Sequence, residues 1–414
     1  MSRSDVPSPV KGARIEHLVW LVAVTMVAVF LTCLHLTTTA PFKLTTFRQL
    51  VQFEAVEPFQ HRVLLPALVA GLQQVLPLGE KLLFGLFEII GWIALIVLAH
   101  RALCILSIGR HDLMRRVLAF TVVIPMFMHL IAPDLQLVSA FVTEEQRFDL
   151  GSWQPRALFY YVYDLPAAVF TLAMTLLLIR YTQSDGRRYL LAYLLLFAVA
   201  TVNRETTLFM LGLFALLFTG RMPWMRLLCL LALQSCIFVA IQWPLSWLFA
   251  DNVNPSAQLA GTQYEYHLWE NLALLADPLY FVTFVARFSA GLYLPVLLWR
   301  RTLDRHLVCA LVGFGLPLIG FALVAGRVQE QRIFIEIVPL IWLAAMQVIA
   351  ARSAAHAPED TRISQKSAPS AITMPVVSSG NRQKTHDVGL LPSNGAQRQR
   401  PEYRPPSGNT ASGS

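Results

Sequence analysis

Residues 18–40 read LVWLVAVTMVAVFLTCLHLTTTA, with no Asp, Glu, Lys or Arg among them. A helix that crosses a bilayer needs about 20 mostly apolar residues, and this run meets that length. A secretory signal has an apolar core of only about 7–15 residues and a small-residue cleavage site. The run is longer and lacks a clean site, so it reads as a retained first span.

Similar runs recur along the chain, at 82–100, 117–133, 158–180, 189–202, 206–219, 226–249, 278–298, 307–325 and 333–351. The composition agrees: 56% of residues are hydrophobic and 14% charged, against about 25% charged in a soluble domain. The expected fold is all-α, a polytopic transmembrane helix bundle of about ten spans. Between the first two runs, residues 63–76 form a shorter apolar piece flanked by Pro58 and Pro77, with Pro66 in its first turn. That piece is expected to lie at the interface, in the first outer loop.

Charge sets the expected orientation. The connections 101–116, 180–188, 220–226 and 299–306 are rich in arginine, among them Arg115, Arg116, Arg187, Arg188, Arg300 and Arg301. The segment 250–277 has no Lys or Arg. Lys and Arg accumulate on the cytoplasmic side, so both termini are expected in the cytoplasm of a multi-pass cell-membrane protein. Residues 1–17 then form a cytoplasmic lead and 18–351 the transmembrane domain. Residues 352–414, dominated by Ser, Pro, Gln, Asn, Gly and Arg, form a disordered cytoplasmic tail. The net charge of +8 does not point to nucleic acid, because the basic residues sit in short groups between apolar runs. The bilayer itself is the expected partner.

Some chemistries are excluded. The cysteines Cys33, Cys104, Cys229, Cys236 and Cys309 form no CxxC pair and read as free thiols. There is no HExxH, no closely spaced Asp pair, no Walker A loop and no dinucleotide GxGxxG. No metal and no cofactor are expected.

Ionisable side chains inside or at the ends of spans are costly and need a partner or a task. One group is Glu54, Glu57, His61 and Arg62, which leads into the interfacial piece. Here Glu54 or Glu57 handles a proton and Arg62 holds a phosphate, or all are solvated loop charges. Asp164 sits in the first turns of a span after three tyrosines, as a functional carboxylate or as a helix N-cap ahead of Pro166. Asn203, Arg204 and Glu205 interrupt a long apolar run, more than a tight turn requires. The flanking spans are short, so the triplet is expected below the outer surface in a cavity. Arg332 and Glu336 stand four apart, on one face of a helix. Glu88 and Arg287 fall inside apolar runs, and His129 reads as a satisfied core histidine.

Three segments carry a resemblance: Pro58-Phe59-Gln60-His61-Arg62-Val63-Leu64-Leu65-Pro66, Asn203-Arg204-Glu205-Thr206, and Glu330-Gln331-Arg332-Ile333-Phe334-Ile335-Glu336. Together with the long loop after the first span, they resemble bacterial members of the GT-C class of integral membrane glycosyltransferases, over about residues 18–351. That class usually carries a tandem acidic pair in the first outer loop, whereas Glu54 and Glu57 are separated by two residues. The resemblance implies transfer of a sugar from a polyprenyl-phosphate carrier to an acceptor at the outer face. Glu57 or Asp164, with Glu54 beside them, would serve as base. Arg62, Arg204 and Arg332 would grip the phosphate, and His61, Asn203, Glu205 and Glu336 would complete the binding set. A transporter or lipid flippase, or a non-catalytic membrane assembly subunit, uses the same charges in other ways. A polymerase gripping an anionic glycan is disfavoured by the acidic outer segment.

Overall fold

The computed structural model describes residues 9–39, 45–56, 59–130, 161–184, 186–252, 266–328 and 330–355. All of them fall in one compact unit, Met1–Ala357. Glu57 and the tail from residue 356 lie outside the described residues, as do residues 1–8 of the lead.

Every regular element described is helical. In chain order the main ones are α1 (Pro9–Thr38), α2 (Leu64–Gln73), α3 (Glu80–Ile105), α4 (Asp112–Leu130), α5 (Asp164–Ser184) and α6 (Arg187–Asn203). There follow α7 (Glu205–Phe218), α8 (Trp224–Leu248), α9 (Leu268–Ala276), α10 (Pro278–Gly291), α11 (Tyr293–Leu298), α12 (Arg305–Ala325) and α13 (Gln331–Ala355). Of these, 7 are long and apolar enough to cross a membrane: α3, α4, α5, α8, α12, α13 and the part of α1 from Ile15. The chain is a multi-pass membrane protein on that ground.

Seven of the ten expected runs therefore correspond to full-length candidates. The other three fall short for physical reasons. Runs five and six are α6, with 17 residues, and α7, broken apart at Arg204. Run eight is interrupted. Within it α10 ends in a left-handed stretch with Ser289, Ala290 and Gly291 at φ 50, 53 and 72, and just ahead of it the α9–α10 pair bends by 98°. Counting the bent pair as one span gives up to 8. Within residues 63–76 lies the short apolar helix α2, Leu64–Gln73, preceded by a 3-10 turn, Phe59–His61.

Local capping explains several boundaries. Thr46 and Gln49 form a reciprocal capping box at the one-turn helix Phe47–Val51. Asp277 caps α10, with Pro278 at its first position. Asp304 accepts from the backbone of His306 at the start of α12.

Helices in lipid associate by close packing and polar contacts rather than by a hydrophobic drive, and both are present. α5 and α13 are the most enclosed of the candidate spans, and α8 is the most open to lipid. α7 crosses a π-helical turn, Leu311–Gly315, inside α12. There Gly212 meets Gly313 so closely that a Cβ on Gly212 would lie 2.2 Å from the Gly313 carbonyl oxygen.

α6 and α8 run parallel. The Tyr193 hydroxyl donates to Gln234 at 2.7 Å, and Gln242 donates to the Thr201 carbonyl at 2.7 Å. The last turn of α6 thus lies level with Gln242. Trp224 is exposed at one end of α8, and Trp243 and Trp247 are exposed at the other. Exposed tryptophans gather at membrane–water boundaries. From residue 224 to 243 a helix rises about 29 Å, close to the roughly 30 Å of a hydrocarbon core. Asn203 and Arg204 accordingly sit at a boundary level. The arginine-rich connections gather at the other end: Arg226 donates to the Tyr181 hydroxyl at 2.9 Å, and His306 meets Thr182 at 2.9 Å.

Candidate functional site

The boundary end of α6 carries the main charged cluster. It draws on four separate pieces of chain: the segment ahead of α2, the start of α5, the α6–α7 break and the start of α13.

Arg204 stands at that break in extended conformation, and its side chain is buried between two carboxylates. Nη1 lies 3.3 Å from Asp164 Oδ1, and Nε lies 3.2 Å from Glu336 Oε1. Glu336 also accepts from Thr206 Oγ1 at 2.5 Å. Arg332 reaches the other oxygen of Asp164, with Nη1 at 3.4 Å from Oδ2, and pairs its Nη2 with Glu330. Asp164, which opens α5, thus spends both carboxylate oxygens on guanidinium groups.

Arg62 makes a two-pronged contact with Glu205, Nη2 to Oε1 at 2.6 Å and Nε to Oε2 at 3.1 Å. Burial works against the Arg62 charge, but the Glu205 carboxylate more than offsets it and holds the guanidinium above its ordinary value. Burial likewise pushes the Glu205 carboxyl up. The charge and hydrogen bond of Arg62 outweigh that and hold it down at about 2. Two arginines also lie on aromatic faces: Arg62 at 4.5 Å from the Tyr163 ring centre and Arg332 at 3.4 Å from that of Tyr161. Asn203 donates to the Tyr163 carbonyl at 3.1 Å, which ties the end of α6 to the start of α5.

Several buried polar atoms on these same segments have no hydrogen-bond partner among the described residues: Gln60 Nε2, Tyr163 Oη, Asn203 Oδ1 and Gln331 Oε1. Native interiors satisfy nearly all such atoms, so an orphaned group calls for an explanation such as a bound molecule or ion.

Of the residues expected from the sequence, the structure joins Arg62, Asp164, Asn203, Arg204, Glu205, Arg332 and Glu336 in this cluster. His61 lies beside it, its ring 6.4 Å from that of Phe249. Glu54 is exposed, and among the described residues its carboxylate meets no cation of the cluster. Glu57 lies outside the described residues. Arg332 and Glu336 do not pair with each other. The segment Gln331–Ile337 is a 3-10 helix, in which residues four apart point about 120° away from each other, so each side chain finds a different partner. Glu330 and Thr206, which stand in the quoted segments beside Arg332 and Glu205, join the cluster as well.

The other intramembrane ionisable groups have separate partners. Glu88 meets His35 Nδ1 at 2.7 Å and accepts from Trp92 at 3.2 Å. The position of His35 within the first apolar run was the available signal for that pair. His129 is satisfied on both ring nitrogens: Nδ1 donates to the Gln331 carbonyl at 2.8 Å, and Nε2 accepts from the Ser289 amide at 3.0 Å. Arg287 donates to the Met128 carbonyl at 3.3 Å.

Three guanidiniums face four carboxylates, so the cluster has no spare positive charge. An incoming anion has to displace a carboxylate. The two most open are Glu330 and Glu205, with side chains 37% and 30% exposed, against 1–2% for Asp164 and Glu336. Access therefore lies on the Glu205–Glu330 side. Comparison of the chain with models of known protein families and with curated proteins finds no match.

Proposed function

We propose that the chain is a membrane glycosyltransferase of the GT-C type, moving a sugar from a polyprenyl-phosphate carrier to an acceptor on the extracytoplasmic face of a cell membrane. The observation that carries this reading is the gathering of Arg62, Arg204 and Arg332 with unpartnered polar atoms at a membrane boundary. A phosphate tethered to a lipid lies at that level.

In this scheme the acceptor hydroxyl oxygen bonds to the anomeric carbon while the bond from that carbon to the phosphate oxygen breaks. Polyprenyl phosphate leaves, and the hydroxyl proton passes to a carboxylate. The phosphate approaches from the side of Glu205 and Glu330, which release Arg62 and Arg332 to it. Planar guanidiniums suit the developing charge on the leaving group. Asp164 positions Arg204 and Arg332, since neither of its oxygens can take a proton without breaking an ion pair. The base is then Glu57 or Glu54, in the segment ahead of Arg62. Gln60, Tyr163 and Asn203 offer hydrogen bonds to sugar hydroxyls.

The test is a transfer assay in membrane vesicles supplied with a panel of labelled polyprenyl-phosphate sugars. Label is expected to leave the carrier with the native chain and to stay on it with the double variant Glu54→Gln, Glu57→Gln and with Arg204→Gln. Full transfer by Glu54→Gln, Glu57→Gln, Asp164→Asn, Glu205→Gln and Glu336→Gln together would remove the mechanism.

A non-catalytic assembly subunit is favoured by one observation: each of the three guanidiniums is already paired within the chain. A network of that kind can serve to fix helix geometry alone.

A further inference from the structure

At the arginine-rich end of the bundle, away from the cluster above, three side chains of different chemistry face one point. His100 and Cys104 stand one turn apart at the end of α3, and Asp112 opens α4. His100 Nε2 lies 3.1 Å from Asp112 Oδ1 and 3.8 Å from Cys104 Sγ. The three donor atoms all lie within 4.8 Å of one another.

We propose that His100, Cys104 and Asp112 form a binding site for a divalent transition-metal ion of the zinc class. The donor set of one imidazole, one thiolate and one carboxylate suits that class. The spacing suits it as well. With metal–nitrogen and metal–oxygen bonds of about 2.0–2.2 Å and a metal–sulfur bond of about 2.3 Å, a tetrahedral ion places N and O about 3.3 Å apart and N and S about 3.6 Å apart. The two separations from His100 Nε2 need to change by only a few tenths of an ångström, and the third, from Cys104 Sγ to Asp112 Oδ1, lies within 4.8 Å and closes toward about 3.6 Å as the half-exposed Asp112 carboxylate turns to the ion.

The site is held in place by its surroundings. The turn joining α3 to α4 is clamped by Arg115, whose Nε and Nη2 donate to the carbonyls of Ile108 and Gly109 at 3.1 and 3.0 Å. Gly109, at φ 85, supplies the backbone conformation that turn needs. The Trp20 ring packs against His100 at 5.2 Å. Arg116 Nη2 holds the second oxygen of Asp112 at 2.7 Å, leaving Oδ1 to turn toward the ion, as outer partners of metal-ligating carboxylates do. Asp112 is half-exposed, so an ion has a path in from solvent. On binding, the Cys104 thiol gives its proton to solvent. The His100 proton now shared with Asp112 moves to Nδ1, freeing the Nε2 lone pair. Water fills the fourth position.

The experiment is a Co²⁺ titration of the purified full chain in detergent, read by absorbance. A sulfur-to-cobalt charge-transfer band saturating at one equivalent is expected. It should be lost in Cys104→Ser and weakened at least tenfold in apparent affinity in His100→Gln, while size-exclusion profiles stay unchanged. In parallel, Zn²⁺ should protect Cys104, located by mass spectrometry, from alkylation and leave the extent of alkylation at the other cysteines unchanged. A band absent from the native chain, or one that persists in Cys104→Ser, overturns the site. So does equal alkylation of Cys104 with and without Zn²⁺, a readout that holds even if a variant fails to fold.

Discussion

Arg204 is the residue on which the charged cluster turns, because among the described residues it alone bridges Asp164 and Glu336. Removing one member of a buried pair leaves an uncompensated charge and costs about 3–5 kcal/mol. Arg204→Met should therefore lower the thermal unfolding midpoint of the detergent-solubilised protein far more than Arg62→Met, whose partner Glu205 is partly open to solvent. Equal midpoints for the two variants would show that the bridge contributes nothing. A second residue-scale expectation concerns pH. Glu205 is held at about 2 in the folded protein, below its ordinary value of about 4.3. A depressed carboxyl stabilises above its unfolded value and loses that contribution as pH falls toward the folded one. The protection of the Arg62 backbone amide, its exchange rate taken relative to the intrinsic rate at each pH, should hold from pH 6 to about 4.3 and fall as pH drops toward 2, and Glu205→Gln should abolish the fall. The candidate residues were legible as charges that a membrane does not tolerate. Their pairings were not: Arg62 and Glu205 are 143 residues apart in sequence, and nothing local selects one partner over another. Arg332 and Glu336, expected on one helix face, part company because the segment Gln331–Ile337 is 3-10 rather than α-helical.

Two elements depart from ideal geometry, and each supplies a test. Ser289 and Ala290 hold left-handed conformations without being glycine, a state costing about 1–2 kcal/mol per residue. Ala290→Gly should raise the thermal midpoint; a fall would mean the methyl group packs better than the backbone strain it causes. At the π-helical turn of α12, a Cβ on Gly313 would lie 2.7 Å from the Gly212 carbonyl oxygen. Gly313→Ala should destabilise by about 1–3 kcal/mol, read from the same unfolding curve, and Gly320→Ala, where a Cβ meets nothing, should be near neutral. The seven long spans were readable because each is a predominantly apolar run near the length a bilayer demands. α6, α7 and the bent α9–α10 pair were not readable at full detail. Hydropathy averages over the break at Arg204 and over the left-handed residues that turn the chain.

At the scale of the whole molecule, segments far apart in sequence bring cations, carboxylates and unpartnered polar atoms together at one boundary of a helical bundle. The tryptophans of α8 set that boundary independently of any charge argument. The most direct measurement is the binding of short-chain polyprenyl phosphate to the purified protein, compared with the matching polyprenol. The phosphate form should bind at least tenfold more tightly. The preference should collapse in Arg332→Gln and survive in Arg300→Gln at the opposite end. Equal binding of the two lipids, or a preference unchanged by Arg332→Gln, would contradict a phosphate-recognising centre and leave a multi-pass bundle whose arginines serve only its packing.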